Sequence, residues 1–148
     1  MAKTFFWCAD DAVKFARDIL IPSLMAGGVV EDENFVLVIG CRSTRQVMSV
    51  LVIGGTIQKE YDLKKIALSK FELTCEYGMS TRQIQMLYPE MADGKTCFWG
   101  SAIDGDIVVA GSGYKSRDDE MVCTMVVAYI RKQILAAQAQ YLESRPVF

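Results

Sequence analysis

The sequence predicts one α+β domain covering residues 1–148, with two strand pairs and four helices in the order αββααββα. Its length is typical of a single domain. Apolar residues recur at helical spacing in residues 9–25, 62–77 and 117–142. Short β-branched runs divided by polar turns lie between these segments, and such runs favour antiparallel strands.

The first helical segment contains its own expected start and stop. Asp10 or Asp11 is placed to cap the first turn. Pro22 lacks a backbone N–H, so we expect it to kink or end the helix. Gly27 and Gly28 then close the segment, because glycine readily adopts the left-handed conformation that follows many helices.

Two hairpins are expected. The β-branched runs Phe35–Cys41 and Gln46–Ile53 are divided by four polar residues, which predicts a hairpin. Residues 96–103 and 107–113 flank an Asp-Gly turn that begins at Asp104. Asp-Gly between apolar runs is among the strongest short-range hairpin signals, so these segments are expected to pair in the same way.

Two helices are expected between the hairpins. The longer one covers residues 62–77 and ends at Gly78. A shorter helix follows, capped by Ser80 or Thr81, and it ends before Pro89.

The last helix, residues 117–142, is unusually apolar in its first half. Residues 121–130 are apolar on nearly every side, which predicts either deep burial or a subunit interface. We therefore expect a homo-oligomer in which this stretch contacts a second subunit.

The charge balance and the apolar runs exclude several classes of partner. The chain carries 16 basic and 18 acidic side chains, a net charge of −2, whereas nucleic-acid-binding domains are usually basic. No apolar run approaches the ~18 residues that a membrane span needs, and the N-terminus does not resemble an export signal. We expect no nucleic-acid partner, no membrane association and a cytoplasmic location.

The chain has no histidine, which removes the commonest catalytic and metal-ligating side chain. A Ser-His-Asp triad, a histidine-containing zinc site and a histidine-ligated haem are therefore excluded. Its cysteines are odd in number and form no C-x-x-C pair, so we expect reduced thiols and no metal site. The cysteines are Cys8, Cys41, Cys75, Cys97 and Cys123.

Lys70 is the most informative cation. It lies one turn after Ile66 and one turn before Thr74, on the inward edge of the predicted helix. A buried ammonium needs an anionic or carbonyl partner, although a lysine at a helix edge can also extend to solvent. The expected partners are backbone carbonyls, a bound carboxylate or the acidic residues Asp118, Asp119 and Glu120.

A longer pattern surrounds this lysine. Residues 66–81 read Ile66-Ala67-x-x-Lys70-x-x-Leu73-Thr74-x-x-Tyr77-Gly78-x-Ser80-Thr81. The pattern resembles the A-x-x-K-A-x-T-A-x-x-F-G-x-S-T helix of GlcG/HbpS-like proteins. That family is also called the haem-degrading domain family and includes the C-terminal domain of PduO.

The resemblance continues downstream in order and spacing, over nearly the whole chain. The family has G-G-x-P, a D-G turn, a strand ending in G-x-G-V-S-G and an acidic start to the last helix. The corresponding residues here are Trp99-Gly100-Ser101-Ala102, Asp104-Gly105, Val108-Val109-Ala110-Gly111-Ser112-Gly113 and Asp118-Asp119-Glu120. The resemblance implies a profilin-like antiparallel sheet with helices on its faces.

The resemblance also implies a haem or other tetrapyrrole ligand, with haem degradation as an activity. Without histidine, an iron ligand near the break between the middle helices would be Cys75, Tyr77 or Met79, or else the haem would lie unligated in an apolar slot beside a cation that binds a propionate. Lys70 or Arg82 would then contact a propionate. Haem is the only cofactor that the resemblance implies.

Two other functions are open. The first is a cofactor-free enzyme acting on a small organic substrate, with Lys70, Tyr114 or Asp119 as acid–base groups and Trp99 stacking on the substrate. The second is an oligomeric structural or partner-binding subunit whose last helix drives association.

Overall fold

Six strands form within the part of the chain that the computed structural model describes, residues 5–31, 33–58, 60–92 and 98–144. They are β1 (Phe35–Cys41), β2 (Gln46–Ile53), β3 (Ile57–Gln58), β4 (Tyr61–Asp62), β5 (Ser101–Asp104) and β6 (Ile107–Ser112). Four of them make one antiparallel sheet in the order β2-β1-β6-β5. β3 and β4 form a separate two-stranded ladder.

Both predicted hairpins are confirmed. β1 and β2 have the predicted bounds and pair antiparallel. The turn that begins at Asp104 joins β5 to β6, and Gly105 adopts the left-handed conformation with φ +60°. β5 begins at Ser101, later than predicted, because residues 98–100 are described and do not form a strand; residues 96–97 of the predicted span lie outside the described residues.

Helices pack on both faces of this sheet, so the mixed α+β class is confirmed. The helical elements are α1 (Phe5–Phe15), a π-helical turn (Ala16–Leu20), α2 (Ile21–Ala26), α3 (Leu63–Tyr77), α4 (Thr81–Leu87), a 3-10 turn (Pro89–Ala92) and α5 (Ser116–Glu143).

The first helix differs from its prediction at both ends. It begins at Phe5 rather than at residue 9, and it continues through Pro22. The N–H of Ile21 donates to the carbonyl of Ala16, five residues back, which makes the π turn. Pro22 then stands at the start of the next α-helical segment, where a missing N–H costs little.

Asp11 has a different role from the predicted cap, because the earlier helix start places it inside α1. Its carboxylate accepts a hydrogen bond of 2.6 Å from the Tyr129 hydroxyl on α5. The Tyr129 ring stacks on Phe15, with centroids 4.1 Å apart. These contacts attach the first helix to the last one.

The predicted order αββααββα is wrong in its middle. The β3–β4 ladder and the 3-10 turn add elements that the order omits. A two-residue strand is too short to show an alternating pattern, so periodicity cannot detect it.

The sheet has an apolar core on each face. All seven residues of β1 are buried, because the strand is paired on both sides and covered on both faces. Its α3-facing core contains Val36, Val38, Val108, Ala110 and Phe71. Its other core, beneath α1 and α5, contains Phe35, Leu37, Ile39, Val109 and Ile130.

The predicted helix ends in the middle of the chain are confirmed. Asp62 caps α3 by accepting from two backbone N–H groups, and Gly78 ends it with φ +69°. Ser80 and Gln83 form a reciprocal capping box at the start of α4. Arg42 donates to the carbonyl of Cys75 at 3.0 Å, which satisfies a carbonyl in the last turn of α3.

No disulfide links the cysteines of the described residues, which are all buried: Cys8, Cys41, Cys75 and Cys123. Cys97 lies outside the described residues. A search of the described helices finds none with the length and apolar character to cross a membrane.

Candidate functional site

A cavity of about 170 Å³ lies between α3, the end of β6, the β3–β4 ladder and the start of α5. Its wall combines apolar and aromatic side chains with a small number of polar groups, which is the usual make-up of a ligand site. The lining residues are Gln58, Tyr61, Leu63, Ile66, Lys70, Phe98, Ser112, Gly113, Tyr114 and Asp119.

Lys70 and Asp119 form a buried ion pair in this wall. The Lys70 side chain is 0% exposed and that of Asp119 is 3% exposed. Lys70 Nζ donates to the Gly111 carbonyl at 2.6 Å and to Asp119 Oδ2 at 3.3 Å. Two of the expected kinds of partner, a backbone carbonyl and an acidic residue at the start of α5, are therefore confirmed for Lys70.

The backbone at Gly100 passes directly over this pair. Gly100 has φ +140°, and a Cβ there would lie 2.6 Å from Asp119 Cβ and 2.8 Å from both Lys70 Nζ and the Gly111 oxygen. Distances below 3.0 Å essentially never occur for real Cβ atoms. Glycine is therefore required, because any side chain would force the strand and the ion pair apart.

A network of hydroxyl groups holds Gly100 in this position. The N–H of Gly100 donates to Thr81 Oγ1 at 3.0 Å, and the N–H of Thr81 donates to Ser101 Oγ at 2.9 Å. Ser101 Oγ also lies 2.7 Å from Thr74 Oγ1. These contacts attach the start of β5 to α3 and α4 and hold the Gly100 backbone over the ion pair.

Asp119 is oriented from the other side by Tyr114. Its Oδ1 accepts the Tyr114 backbone N–H at 3.0 Å. The Tyr114 ring stacks on Phe35, with centroids 4.4 Å apart. Asp119 also lies in the first turn of α5, where the positive end of the helix dipole favours a carboxylate.

Burial shifts the pKa values of both partners toward their neutral forms. It raises the pKa of Asp119 to about 7, and the nearby Lys70 ammonium and the Tyr114 N–H limit the rise. Burial also lowers the pKa of Lys70, with the Asp119 carboxylate opposing the shift. The two shifts bring the pKa values of Lys70 and Asp119 closer together than those of an exposed lysine and an exposed aspartate.

A wider groove of about 870 Å³ adjoins the cavity and shares Gln58, Gly113 and Tyr114 with it. Charges of both signs surround this groove, including Glu33, Lys115 and Asp118.

The structure brings together three of the residues predicted for the site: Lys70, Tyr114 and Asp119 all line the cavity. The other five predicted residues lie outside its lining. They are Cys75, Tyr77, Met79, Arg82 and Trp99.

Several of these five residues have other contacts. Arg82 pairs with Glu120 at 2.9 Å. Burial raises the pKa of the Cys75 thiol to about 11, which disfavours the thiolate form that ligates a metal. The backbone N–H of Trp99 donates to Ser116 Oγ at 3.3 Å.

Several aromatic and polar residues that line the cavity with Lys70 were not predicted from the sequence. Phe98 and Tyr61 meet edge to face, with centroids 5.5 Å apart, and Gln58 and Ser112 add polar groups. Tyr61 and Gln58 lie on strands too short to predict. An aromatic residue was expected to contact the ligand, but the residue predicted for this role was Trp99, whereas its neighbour Phe98 lines the cavity.

Comparison of the sequence with protein-family models and with curated proteins found no match. The GlcG/HbpS-like resemblance therefore stays a prediction. The side chains in the described ranges also form no group of three or more Cys, Asp or Glu residues that could hold a metal ion.

Proposed function

We propose that the protein binds a small, uncharged organic molecule bearing a carbonyl or hydroxyl oxygen, and that Lys70 and Asp119 transfer protons to and from it. The observation that carries this proposal is the buried lysine–aspartate pair in the wall of a cavity. Paired acid–base groups in an enclosed apolar site are a common basis for catalysis.

The size of the cavity supports a small ligand. Its 170 Å³ equals the liquid volume of roughly six water molecules and is below the ~300 Å³ typical of sites for drug-sized ligands. Leu63, Ile66 and Phe98 provide apolar contact for the carbon skeleton.

Two polar groups of the wall have hydrogen-bonding capacity for a ligand. An ammonium carries three N–H donors, and within the described residues Lys70 uses two of them, on Gly111 and Asp119. Ser112 is 4% exposed, and its hydroxyl makes no hydrogen bond to another described residue. A ligand oxygen could accept from both.

The charge of the site favours an uncharged ligand. The Lys70 ammonium is already balanced by the Asp119 carboxylate, so a carboxylate ligand would add a buried charge without a partner. A carbonyl or hydroxyl group gains the same hydrogen bonds without that cost. Asp119, with its pKa near 7, would then accept or donate the proton.

The tetrapyrrole ligand implied by the family resemblance is a separate proposal. A haem would need a surface other than this cavity, because the cavity is small and Cys75, Tyr77 and Met79 do not line it. A Soret absorbance band in the purified protein would support haem binding. A profilin-like arrangement, self-association and a cytoplasmic location are likewise proposals that follow from the sequence.

A titration followed by amide NMR shifts tests the proposed function. Acetone and hydroxyacetone serve as uncharged probes, and acetate serves as the charged comparison. We expect saturable shifts of the Ser112 and Gly113 amides with the uncharged probes, and weaker binding of acetate.

Lys70→Met should weaken this binding at least tenfold, about 1.4 kcal/mol, because it removes the central donor. Lys64→Met is the matched control, since Lys64 lies on the same helix and is exposed. Unchanged binding by a folded Lys70→Met protein, or shifts confined to residues far from the cavity, would refute the proposal.

A further inference from the structure

We infer that Lys70 forms a covalent imine with a small aldehyde or ketone held in the cavity. The inference rests on the proposed function and narrows it, because it assigns the ligand class and makes Lys70 a nucleophile. It depends on the position of Lys70 Nζ among three features: the cavity wall, the Gly111 carbonyl and the Asp119 carboxylate.

The first feature is enclosure. Lys70 is one of the residues that line the cavity, and its side chain is 0% exposed, so a carbonyl compound bound in the cavity would lie against this side chain while bulk solvent stays away from it. An amine in such a place reaches a carbonyl carbon without a shell of water to remove. The apolar lining also keeps water away from the imine once it has formed.

The second feature is positioning. The 2.6 Å bond to the Gly111 carbonyl fixes the nitrogen at the end of a long, flexible side chain. The imine product retains one N–H when it is protonated, and the Gly111 carbonyl can accept that N–H. The same contact therefore holds the reactant and the product.

The third feature is a proton acceptor for the ammonium. Asp119 Oδ2 lies 3.3 Å from Nζ, and its own orientation is set by the Tyr114 N–H. The lowered pKa of Lys70 and the raised pKa of Asp119 both reduce the free energy needed to move a proton from the ammonium to the carboxylate, which gives a neutral amine beside a protonated carboxyl. This is the protonation state from which attack begins.

The reaction balances with the groups present. The ammonium gives a proton to Asp119, and the resulting amine attacks the carbonyl carbon, forming the C–N bond while the C=O electron pair moves to oxygen. Asp119 returns its proton to that oxygen and then takes a second proton from nitrogen. It delivers this proton to the departing hydroxyl, so water leaves and a protonated imine remains beside the regenerated carboxylate.

Reductive trapping followed by mass spectrometry tests the inference. The intact protein is incubated with acetone or hydroxyacetone and sodium cyanoborohydride, and its mass and peptide map are recorded. We expect one probe adduct per chain, located on Lys70 and formed at least tenfold faster than on any exposed lysine.

Three variants sharpen the test. Lys70→Arg keeps a cation in the site but cannot form an imine, so it should lose the adduct. Asp119→Asn should form the adduct at least tenfold more slowly, because it removes the proton carrier. Lys64→Met should behave as the wild-type protein.

The possible outcomes separate the two proposals. Amide shifts at the cavity without an adduct on Lys70 would overturn the imine and leave the proposed binding function standing. Adducts spread equally over exposed lysines would also overturn it. Neither shifts nor adduct would refute both proposals.

Discussion

Replacing Gly100 with alanine should be one of the most damaging small substitutions in this protein. The added Cβ would lie 2.6 Å from Asp119 Cβ on α5, 2.8 Å from the Gly111 oxygen on β6 and 2.8 Å from Lys70 Nζ on α3. Since these atoms belong to three different elements, no single side-chain rotation relieves the crowding.

The size of the effect follows from two contributions. Overpacking of a well-packed interior costs about 1–3 kcal/mol. A non-glycine residue in an unfavourable backbone conformation such as φ +140° costs a further ~1–3 kcal/mol. We therefore expect a loss of about 2–6 kcal/mol in the free energy of unfolding, a large part of the ~5–15 kcal/mol that a domain possesses.

Gly105→Ala separates the two contributions. Gly105 also has a positive φ, +60°, but a Cβ there would meet its nearest neighbour, Arg131, at 3.7 Å, an ordinary contact. This control should lose only ~1–2 kcal/mol, the backbone cost alone.

Urea unfolding followed by circular dichroism measures both variants. With an m-value of ~2 kcal/mol/M, a loss of ~3 kcal/mol lowers the unfolding midpoint by about 1.5 M. Equal midpoints for Gly100→Ala and Gly105→Ala would refute the crowding argument, and with it the described packing of the backbone against the ion pair.

Three further results are expected. The Asp119 pKa of about 7 in the folded chain exceeds its ordinary value of 3.8, so the folded state holds this proton more tightly and stability should fall as pH rises from about 4 to 7. Urea midpoints across this range should flatten in Asp119→Asn, and parallel curves for the two proteins would contradict the shift. The Cys75 thiol, whose pKa is raised to about 11, should react with a thiol reagent such as DTNB only on unfolding, and a fast native reaction would contradict its burial. Self-association is predicted for residues 121–130, where Met125 is exposed, and Leu135 and Leu142 are exposed further along α5. Light scattering measures the mass in solution, and a mass of 16.5 kDa, that of one chain, would refute the prediction.

The elements that were predicted correctly are those that a local pattern of residues determines. The first hairpin has its predicted bounds because two β-branched runs and a polar turn are sufficient to specify it. The placement of Lys70 followed from helical spacing and from the cost of an unpaired buried charge, which limited its partners to nearby carbonyls and carboxylates.

The predictions were wrong or incomplete where contacts between residues far apart in the sequence, or very short elements, determine the structure. Asp11 matches a helix cap by type, but its partner is Tyr129, more than a hundred residues away. Pro22 is typical of a helix end, but the π turn before it allows the helix to continue. Gln58 and Tyr61 line the cavity and belong to two-residue strands, which are too short to show an alternating pattern in the sequence.

The pairing of β1 with β6 affects the order in which parts of the fold can form during synthesis. β1 is hydrogen-bonded to β6, so Val36 pairs with Ser112, a residue about half the length of the chain away. Pairing between strands that lie so far apart in the sequence slows folding, because the entropy of closing a long loop is lost before the strand contacts form. A ribosome-bound chain lacks this pair until β6 emerges, and Lys70 lacks its carboxylate until the first turn of α5 follows. The reactive amine is thus assembled among the last features of the molecule, after nearly all of the sheet is in place.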